Sequence, residues 1–528
     1  MDRVAEPEFR QGSHIAWAPS GSSAVDNSGF SKLPQRILLE LRPALGGHAG
    51  IPQATRLLFR CLASLGEFQV SGLLQSGERV LTRGLPVRGS SWFGSLSTDQ
   101  ELNRLGRVVI AIEEGIWDSH VHATAQTILM AVKHLVGGRQ TLSRFEATHF
   151  RDFMWRRFFA RTLPPEDFEL VTRAGFRVAR IPWLAMHVCA LVTRKMGYPL
   201  YPRLDTTDFD VMVTETPYPA TVSKNTKLIV RYHDAIPLLM PHTISDRRFH
   251  QSFHYRALLK NVASGAWFAC VSEATRNDLL SIFPQAEPRT VTIHNMVSHD
   301  YFAEESRVDR IPEIIKTRLN ARIKPPLAPS LRHKLFDDVK RDQPLEYLLI
   351  VSTIEPRKNH LSLLTAWELL RLEGFPQLKL VVVGALGWHH KKIVKSFRVW
   401  MERAEVFLLE DVPAAELRVL YRHARATVCP SFGEGFDFSG VEAMKSGGIV
   451  VASDIAVHRE VYADAAEYFN PYSVQELSRT ISDVIAPANS GRREELVGKG
   501  AIVAKRYDHD AILPRWRTLF NAGTVAAR

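Results

Sequence analysis

Ser431-Phe432-Gly433-Glu434-Gly435-Phe436-Asp437-Phe438-Ser439-Gly440-Val441-Glu442-Ala443-Met444 sets two carboxylates around a glycine-rich turn. The turn follows the short apolar run Ala426 to Cys429 and opens what reads as a helix. A strand, a glycine turn and a helix start form an anion site, because free backbone amides and the positive end of the helix dipole point at whatever sits there. Nearby carboxylates would accept hydrogen bonds from hydroxyls, so the combination suits a sugar joined to a diphosphate. A purely structural reading also exists for Glu442, since Ser439 followed three residues later by Glu442 is a capping box. Glu434, inside the glycine turn, has no obvious packing role.

A second phrase, Ile354-Glu355-Pro356-Arg357-Lys358-Asn359, lies between a strand-like run, Tyr347 to Thr353, and a stretch from His360 to Glu373 with leucines at helical spacing. Asn359 stands where an N-cap would. Arg357 and Lys358 then fall in a loop at the carboxyl end of a strand, where ligands bind in open α/β sheets, placed either to neutralise a diphosphate or to form a solvated basic turn. Strand-like and helix-like runs alternate from here on: Leu378 to Gly384, Lys391 to Arg403, Val406 to Leu409, Ala414 to His423, Ile449 to Ser453, Ser473 to Ile485. The alternation predicts a parallel sheet covered on both faces, a Rossmann-like half.

The first half is less regular. Arg36 to Arg42 reads as a strand, Gly46 to Gly50 as a glycine loop and Pro52 to Leu65 as a helix with proline in its first turn. Gly47 and Gly50 would let the backbone approach a phosphate or sugar closely. Lys227 to Arg231 is a strand ending in Tyr232-His233-Asp234-Ala235-Ile236-Pro237, and the His-Asp pair is either structural or functional on the residues alone. After a strand at Ala266 to Cys270, Ser272 with Glu273 to Thr275 reads as a plain helix cap.

The Glu434 to Glu442 segment resembles the E-x7-E signature of retaining glycosyltransferases of family 4, which have the two-domain GT-B fold. Leu417 to Tyr421, Pro430-Ser431 and Asp454 to Val461, with His458, Arg459 and Glu460, extend the resemblance over nearly all of residues 345 to 505. Val271 to Asp278 and His294-Asn295 resemble the family in the first half. The resemblance implies Glu434 beside a donor sugar, Glu442 on ribose hydroxyls, Arg357 and Lys358 on the diphosphate, and Gly435, Phe436 and Ser439 at the nucleotide-sugar. The His-Asp-x-Ile-Pro phrase is similar to that of mannosyltransferases, whose histidine faces the donor sugar; this implies His233 there, with Asp234 beside it. Bacterial exopolysaccharide and O-antigen mannosyltransferases are the most similar group, which implies GDP-mannose as donor, a glycan or lipid-linked glycan as acceptor, no cofactor, no metal, and no obligatory protein base. A UDP-sugar donor and a non-catalytic nucleotide-sugar-binding protein are the alternatives. A glycoside hydrolase would need paired carboxylates but not the basic pair or the anion-binding helix start. The chain departs from the family at Asp437, Phe438 and Ser439, where Gly-Leu-Pro is common, at Lys445 to Gly448, and at Ser352 and Thr353, where relatives place an arginine.

At 528 residues the chain is too long for one core. The expected division is a disordered tail at 1–34, an acceptor domain at 35–300 with an insertion at about 85–205, a linker or insertion at 301–343, a nucleotide-sugar domain at 344–505, and a C-terminal helix at 506–528 crossing back to the first domain. Cys61, Cys189, Cys270 and Cys429 are scattered without metal spacing, which suits a reducing cytoplasm. No run approaches the roughly 20 apolar residues of a spanning helix. The net charge of +11 calls for an acidic partner. No nucleic-acid motif accompanies it. Between Arg151 and Arg203, Phe153, Trp155, Phe158, Phe159, Trp183 and Met186 alternate with arginines. That mixture either lies on an anionic membrane surface, making the protein peripheral at the cytoplasmic membrane, or forms amphipathic core helices.

Overall fold

The computed structural model of the protein describes residues 34–48, 50–75, 98–114, 128, 132–133, 136–192, 200–244, 247–320, 322 and 345–522. The expected tail before residue 34, much of the expected insertion between 85 and 135, and residues 323–343 of the expected linker lie outside the described residues.

The first sheet contains β1 (Gln35–Glu40), β2 (Phe68–Gln75), β3 (Leu142–Phe145), β4 (Gly175–Ala179), β5 (Val211–Thr214), β6 (Lys227–Tyr232), β7 (Trp267–Cys270) and β8 (Thr290–Thr292). Their spatial order is β3-β4-β2-β1-β5-β6-β7-β8, and every neighbouring pair is parallel except β3 with β4. Two of these strands come from the region read as an insertion, which therefore continues the sheet at its edge. The second sheet contains β9 (Tyr347–Val351), β10 (Lys379–Val383), β11 (Val406–Leu409), β12 (Ala426–Cys429), β13 (Val450–Ser453) and β14 (Ala466–Phe469), wholly parallel, in the order β11-β10-β9-β12-β13-β14. Leu38, Leu39, Val211, Leu348, Leu349, Val381 and Leu408 are inaccessible because helices cover both faces of each sheet.

Both strand orders reverse once, between β1 and β5 and between β9 and β12. A reversal opens a crevice outside the carboxyl ends of the strands, since the two flanking connections leave on opposite faces. The loop carrying Arg357 and Lys358 follows β9, and the Ser431–Glu434 turn follows β12. In the first domain the Gly46–Gly50 loop follows β1, Glu215 follows β5 and His233 follows β6.

Two segments tie the halves together. The His509–Asn521 helix returns to the first sheet, burying Ile512, Trp516 and Phe520 in the core with Ile37, Leu58, Phe59 and Val213. Trp516 also lies under the buried Arg231 guanidinium at 5.6 Å. Within the segment read as a linker, Arg310–Arg318 is a helix, and Leu319 bridges to Leu409, so this part belongs to the second domain.

The arginine and aromatic mixture sorts into core and surface. Phe158, Phe159 and Met186 are buried. Trp155 packs edge-on against Phe168, and Trp183 lies under the Arg42 guanidinium at 3.7 Å. Arg156 pairs with Asp152, and Arg157 with Glu113 at 3.4 Å. Phe158 and Phe159 are thus committed to the core, while Trp155 and Trp183 are half-buried against these partners. Arg194 lies outside the described residues.

Candidate active site

Glu434 is the centre of the second-domain site. Its Oε2 accepts from Arg357 Nη1 at 2.6 Å and its Oε1 from Lys358 Nζ at 2.6 Å, with the side chain 5% exposed. Arg357 also donates to Gly433 O at 2.7 Å and to Glu355 Oε1 at 2.7 Å, so the two motif loops are stitched across the crevice. Burial alone would raise the Glu434 carboxyl, but the two cations outweigh it and hold it below its ordinary range. Asn359, expected as an N-cap, adopts the left-handed conformation (φ 57°), and its amide donates to Pro471 O at 3.0 Å without capping the helix.

The helix after the turn runs from Phe438 to Lys445, and its N-cap is Asp437, whose Oδ1 accepts from Ser439 N at 3.1 Å. The capping-box reading of Ser439 and Glu442 therefore does not hold. Burial works against the Asp437 charge, yet His458, Lys358 and Ser439 together keep its carboxyl far below the ordinary range; His458 Nε2 lies 3.4 Å from Oδ2. Ser439 Oγ donates to Asp437 Oδ1 at 2.6 Å, and the Phe436 ring packs in the core against Phe438 and Tyr507. Both side chains thus have partners within the second domain.

Glu442 reaches the other domain. Its Oε1 accepts from Gln53 Nε2 at 2.7 Å and its Oε2 from Tyr421 Oη at 3.2 Å. Burial pushes its carboxyl up to about 7, against the pull of those hydrogen bonds. Gln53 sits in the first turn of the Ile51–Ala63 helix, directly after the glycine loop. Gly50 precedes this helix with φ 72°, a conformation that favours glycine, while a side chain at Gly47 would meet open space. The loop itself is shaped by Arg56, fully buried, whose donors go to the carbonyls of Ala44, Gly46, Gly47 and Phe158 and to Thr162 Oγ1 at 2.7 to 3.0 Å.

Across the cleft, His233 Nε2 lies 2.8 Å from Oε2 of the inaccessible Glu215, whose other oxygen is 3.7 Å from Arg231 Nη1. Arg231 in turn donates to Asn295 Oδ1 at 2.6 Å. Asp234 Oδ1 accepts from Ile236 N at 3.0 Å, an Asx turn that fixes the loop after β6. The His233 carbonyl presses on the glutamate turn: a Cβ at Gly435 would lie 1.6 Å from that oxygen. Gly435→Ala should therefore force the domains apart and cost about 2 kcal/mol or more. Equal melting temperatures for variant and wild type would show that the contact is not made. A further clasp lies nearby: Glu460 accepts from Glu273 N (2.6 Å), Ala274 N (2.9 Å) and His294 Nε2 (2.8 Å), adding a carboxylate to a helix start that Ser272 already caps through Thr275 N.

The expected second-domain residues Arg357, Lys358 and Glu434 thus meet at the strand reversal, Glu442 lies on the adjoining helix, and His233 and Gly435 touch across the cleft. Gln53, Glu215 and Arg56 were not found in the sequence.

Residues 332–499 match the family model of glycosyl transferases group 1. The chain carries a glycosyltransferase group 1 domain within a GT-B fold. Sucrose-phosphate synthase from Thermosynechococcus elongatus superposes with a TM-score of 0.54 over 92% of this chain and 98% of that one, at 14% identity, a likeness of fold. Among curated proteins, O-antigen chain mannosyltransferase B of Escherichia coli is 27% identical over 252 residues, 48% of this chain and 59% of the relative. The serotype-specific mannosyltransferase WbdA of Escherichia coli is 31% identical over 139 residues, 26% of this chain and 17% of the relative. The chain thus spans less than two thirds of the length of these relatives.

Proposed function

We propose that this GT-B protein is a retaining mannosyltransferase that moves mannose from GDP-mannose to a glycan, carried on a lipid, in bacterial polysaccharide synthesis. The observation that carries the reading is the convergence of Arg357 and Lys358 on one carboxylate at the strand reversal of the second sheet. In this reading the donor diphosphate takes the place of the Glu434 carboxylate on the two cations. Charge that grows on the leaving group is then met by fixed positive groups in a site sheltered from water, an interaction strongest in the transition state. Glu442 exchanges Gln53 for ribose hydroxyls, and His233, oriented by Glu215, faces the sugar. The departing phosphate oxygen takes the acceptor proton, so no protein base is required, and Arg357 and Lys358 supply the positive charge that a metal would otherwise bring to the diphosphate. The mannose assignment rests on the relatives, which are named as mannosyltransferases. Among the described residues no helix is long and apolar enough to cross a membrane. Placement at the cytoplasmic face of the membrane rests on the net charge of +11 and on a lipid-linked acceptor, since Phe158 and Phe159 are buried in the core.

Lys358→Ala removes a charge-assisted contact worth about 1.5 to 3 kcal/mol and should weaken GDP binding about 10- to 100-fold. Calorimetry giving an unchanged dissociation constant would refute the diphosphate assignment.

A further inference from the structure

The Arg247–Ala263 helix lies between β6, whose end carries His233, and β7. Its buried side holds Ala257, Leu258 and Val262, and Asn261 is bonded to both backbone groups of Tyr218 at 2.8 and 3.0 Å. Its outward side is apolar as well: Phe249, Tyr255 and Leu259 are 53, 40 and 42% exposed. At about 100° per residue these side chains fall within roughly a third of the helix circumference, so they form one stripe. A helix that only covers a core turns polar residues to water on that side.

The charge of the helix is one-sided. It carries Arg247, Arg248, Arg256 and Lys260 and no Asp or Glu. Among the described residues neither Arg256 nor Lys260 has a carboxylate partner, whereas Arg144, Arg156 and Arg173 of the same domain pair with Glu146, Asp152 and Glu169. Outward rings and aliphatic chains beside unneutralised cations suit a bilayer interface, where the apolar groups enter the acyl boundary and long basic side chains reach headgroup phosphates. A second copy of the chain suits this face poorly, because a two-fold contact would set the cations against themselves. The position of the helix agrees. Its first turn stands at the carboxyl end of the sheet, where His250 meets the half-exposed Trp388 of the second domain with ring centroids 5.6 Å apart. Seated on a membrane, the helix holds the mouth of the cleft within reach of a sugar carried on a lipid.

We propose that the outward face of the Arg247–Ala263 helix docks the protein on an anionic lipid bilayer, with Phe249, Tyr255 and Leu259 inserted and Lys260 on the headgroups. The proposal rests on the reading of the acceptor as lipid-linked. The test is co-sedimentation of the full chain with phosphatidylglycerol vesicles and with phosphatidylcholine vesicles, and the wild type should bind the former more tightly. Phe249→Gln with Leu259→Gln should weaken that binding about tenfold or more at low and high salt alike, because salt does not screen apolar insertion. The melting temperature should stay put, since both side chains already face water. Lys260→Glu should weaken binding about fivefold or more at low salt and less at high salt. Arg144→Glu makes the same change in net charge on β3, the far edge strand of the sheet, and should leave binding unchanged. Equal weakening by Lys260→Glu and Arg144→Glu overturns the proposal, because net charge alone would then explain the attraction. Equal or absent binding of the wild type to both vesicle types overturns it too. Self-association that Phe249→Gln with Leu259→Gln abolishes, without vesicle binding, overturns it in favour of a contact between copies. GDP calorimetry on the same samples tests the donor site separately: intact GDP binding beside absent vesicle binding strikes the membrane face alone.

Discussion

Glu434→Gln should lower the stability of the ligand-free protein by about 3 kcal/mol and at the same time tighten its binding of GDP. The carboxylate is nearly enclosed and neutralises two cations at 2.6 Å each. Removing one partner of a buried ion pair leaves the other charge uncompensated, at a cost of roughly 3 to 5 kcal/mol. The lower figure applies because Glu355 remains on Arg357 at 2.7 Å. In the wild type a diphosphate competes with Glu434 for Arg357 and Lys358, whereas in the variant it meets both unpaired. Ligand binding to the folded state then returns the lost stability, about 4 kcal/mol at a thousand times the dissociation constant. Thermal unfolding with and without GDP reads both effects. A variant as stable as the wild type, with the same ligand-induced change in melting temperature, would mean that the clamp is not made. Turnover should fall even so, because a group beside the sugar has lost its charge.

That expectation differs from what the sequence alone supports. From the sequence, with Glu434 beside the sugar, its loss leaves nucleotide affinity nearly intact; the clamp on Arg357 and Lys358 adds an effect on nucleotide affinity. Most of the second sheet was readable, because strands buried on both faces are uninterrupted apolar runs: Val406–Leu409 and the helices His360–Glu373 and Ala414–His423 fall where expected, whereas the edge strand Ala466–Phe469, half-buried and interrupted by Glu467, was not read. The two site loops were readable because each follows such a strand. Partners joined only by folding were not. Gln53 and Glu442 are 389 positions apart, and nothing local in Pro52-Gln53-Ala54 distinguishes the glutamine from a solvated one. Glu215 lies in Thr214-Glu215-Thr216, an unremarked strand end, yet it is fully buried against His233. Between Arg151 and Arg203, aromatic and basic residues alternate over several short elements, and such a mixture has the same composition whether the aromatics face lipid or core. Only the packing of Phe158 and Phe159 against Phe59 decides it. At Asn359 local preference and tertiary demand diverge, since its amide is drawn to Pro471 O and away from the helix start.

Glu442→Gln separates stability from function through pH. The Glu442 carboxyl is raised from 4.5 to about 7, chiefly by burial. The folded state therefore holds a proton between those values that the unfolded chain has released, and stability falls as pH rises through this window. The group is neutral and harmless below about 4.5. Above about 7 its charge costs on the order of 3 kcal/mol, because each tenfold weakening of its acidity is worth about 1.36 kcal/mol. Glutamine has the same shape and no charge. Its carbonyl can accept from Tyr421, and its amide can pair with that of Gln53, so the buried cluster stays satisfied. The variant should be more stable than the wild type at pH 8 by about 3 kcal/mol, with the gain shrinking towards pH 5. Nucleotide affinity should move the other way, weakening about tenfold or more at pH 8, because ribose hydroxyls lose a charged acceptor. Denaturant unfolding at several pH values, paired with GDP titration, measures both. Stability lost at every pH with affinity unchanged would make Glu442 a structural residue. Stability gained only at high pH, with affinity lost, is what a carboxylate held in the cleft for a ligand requires.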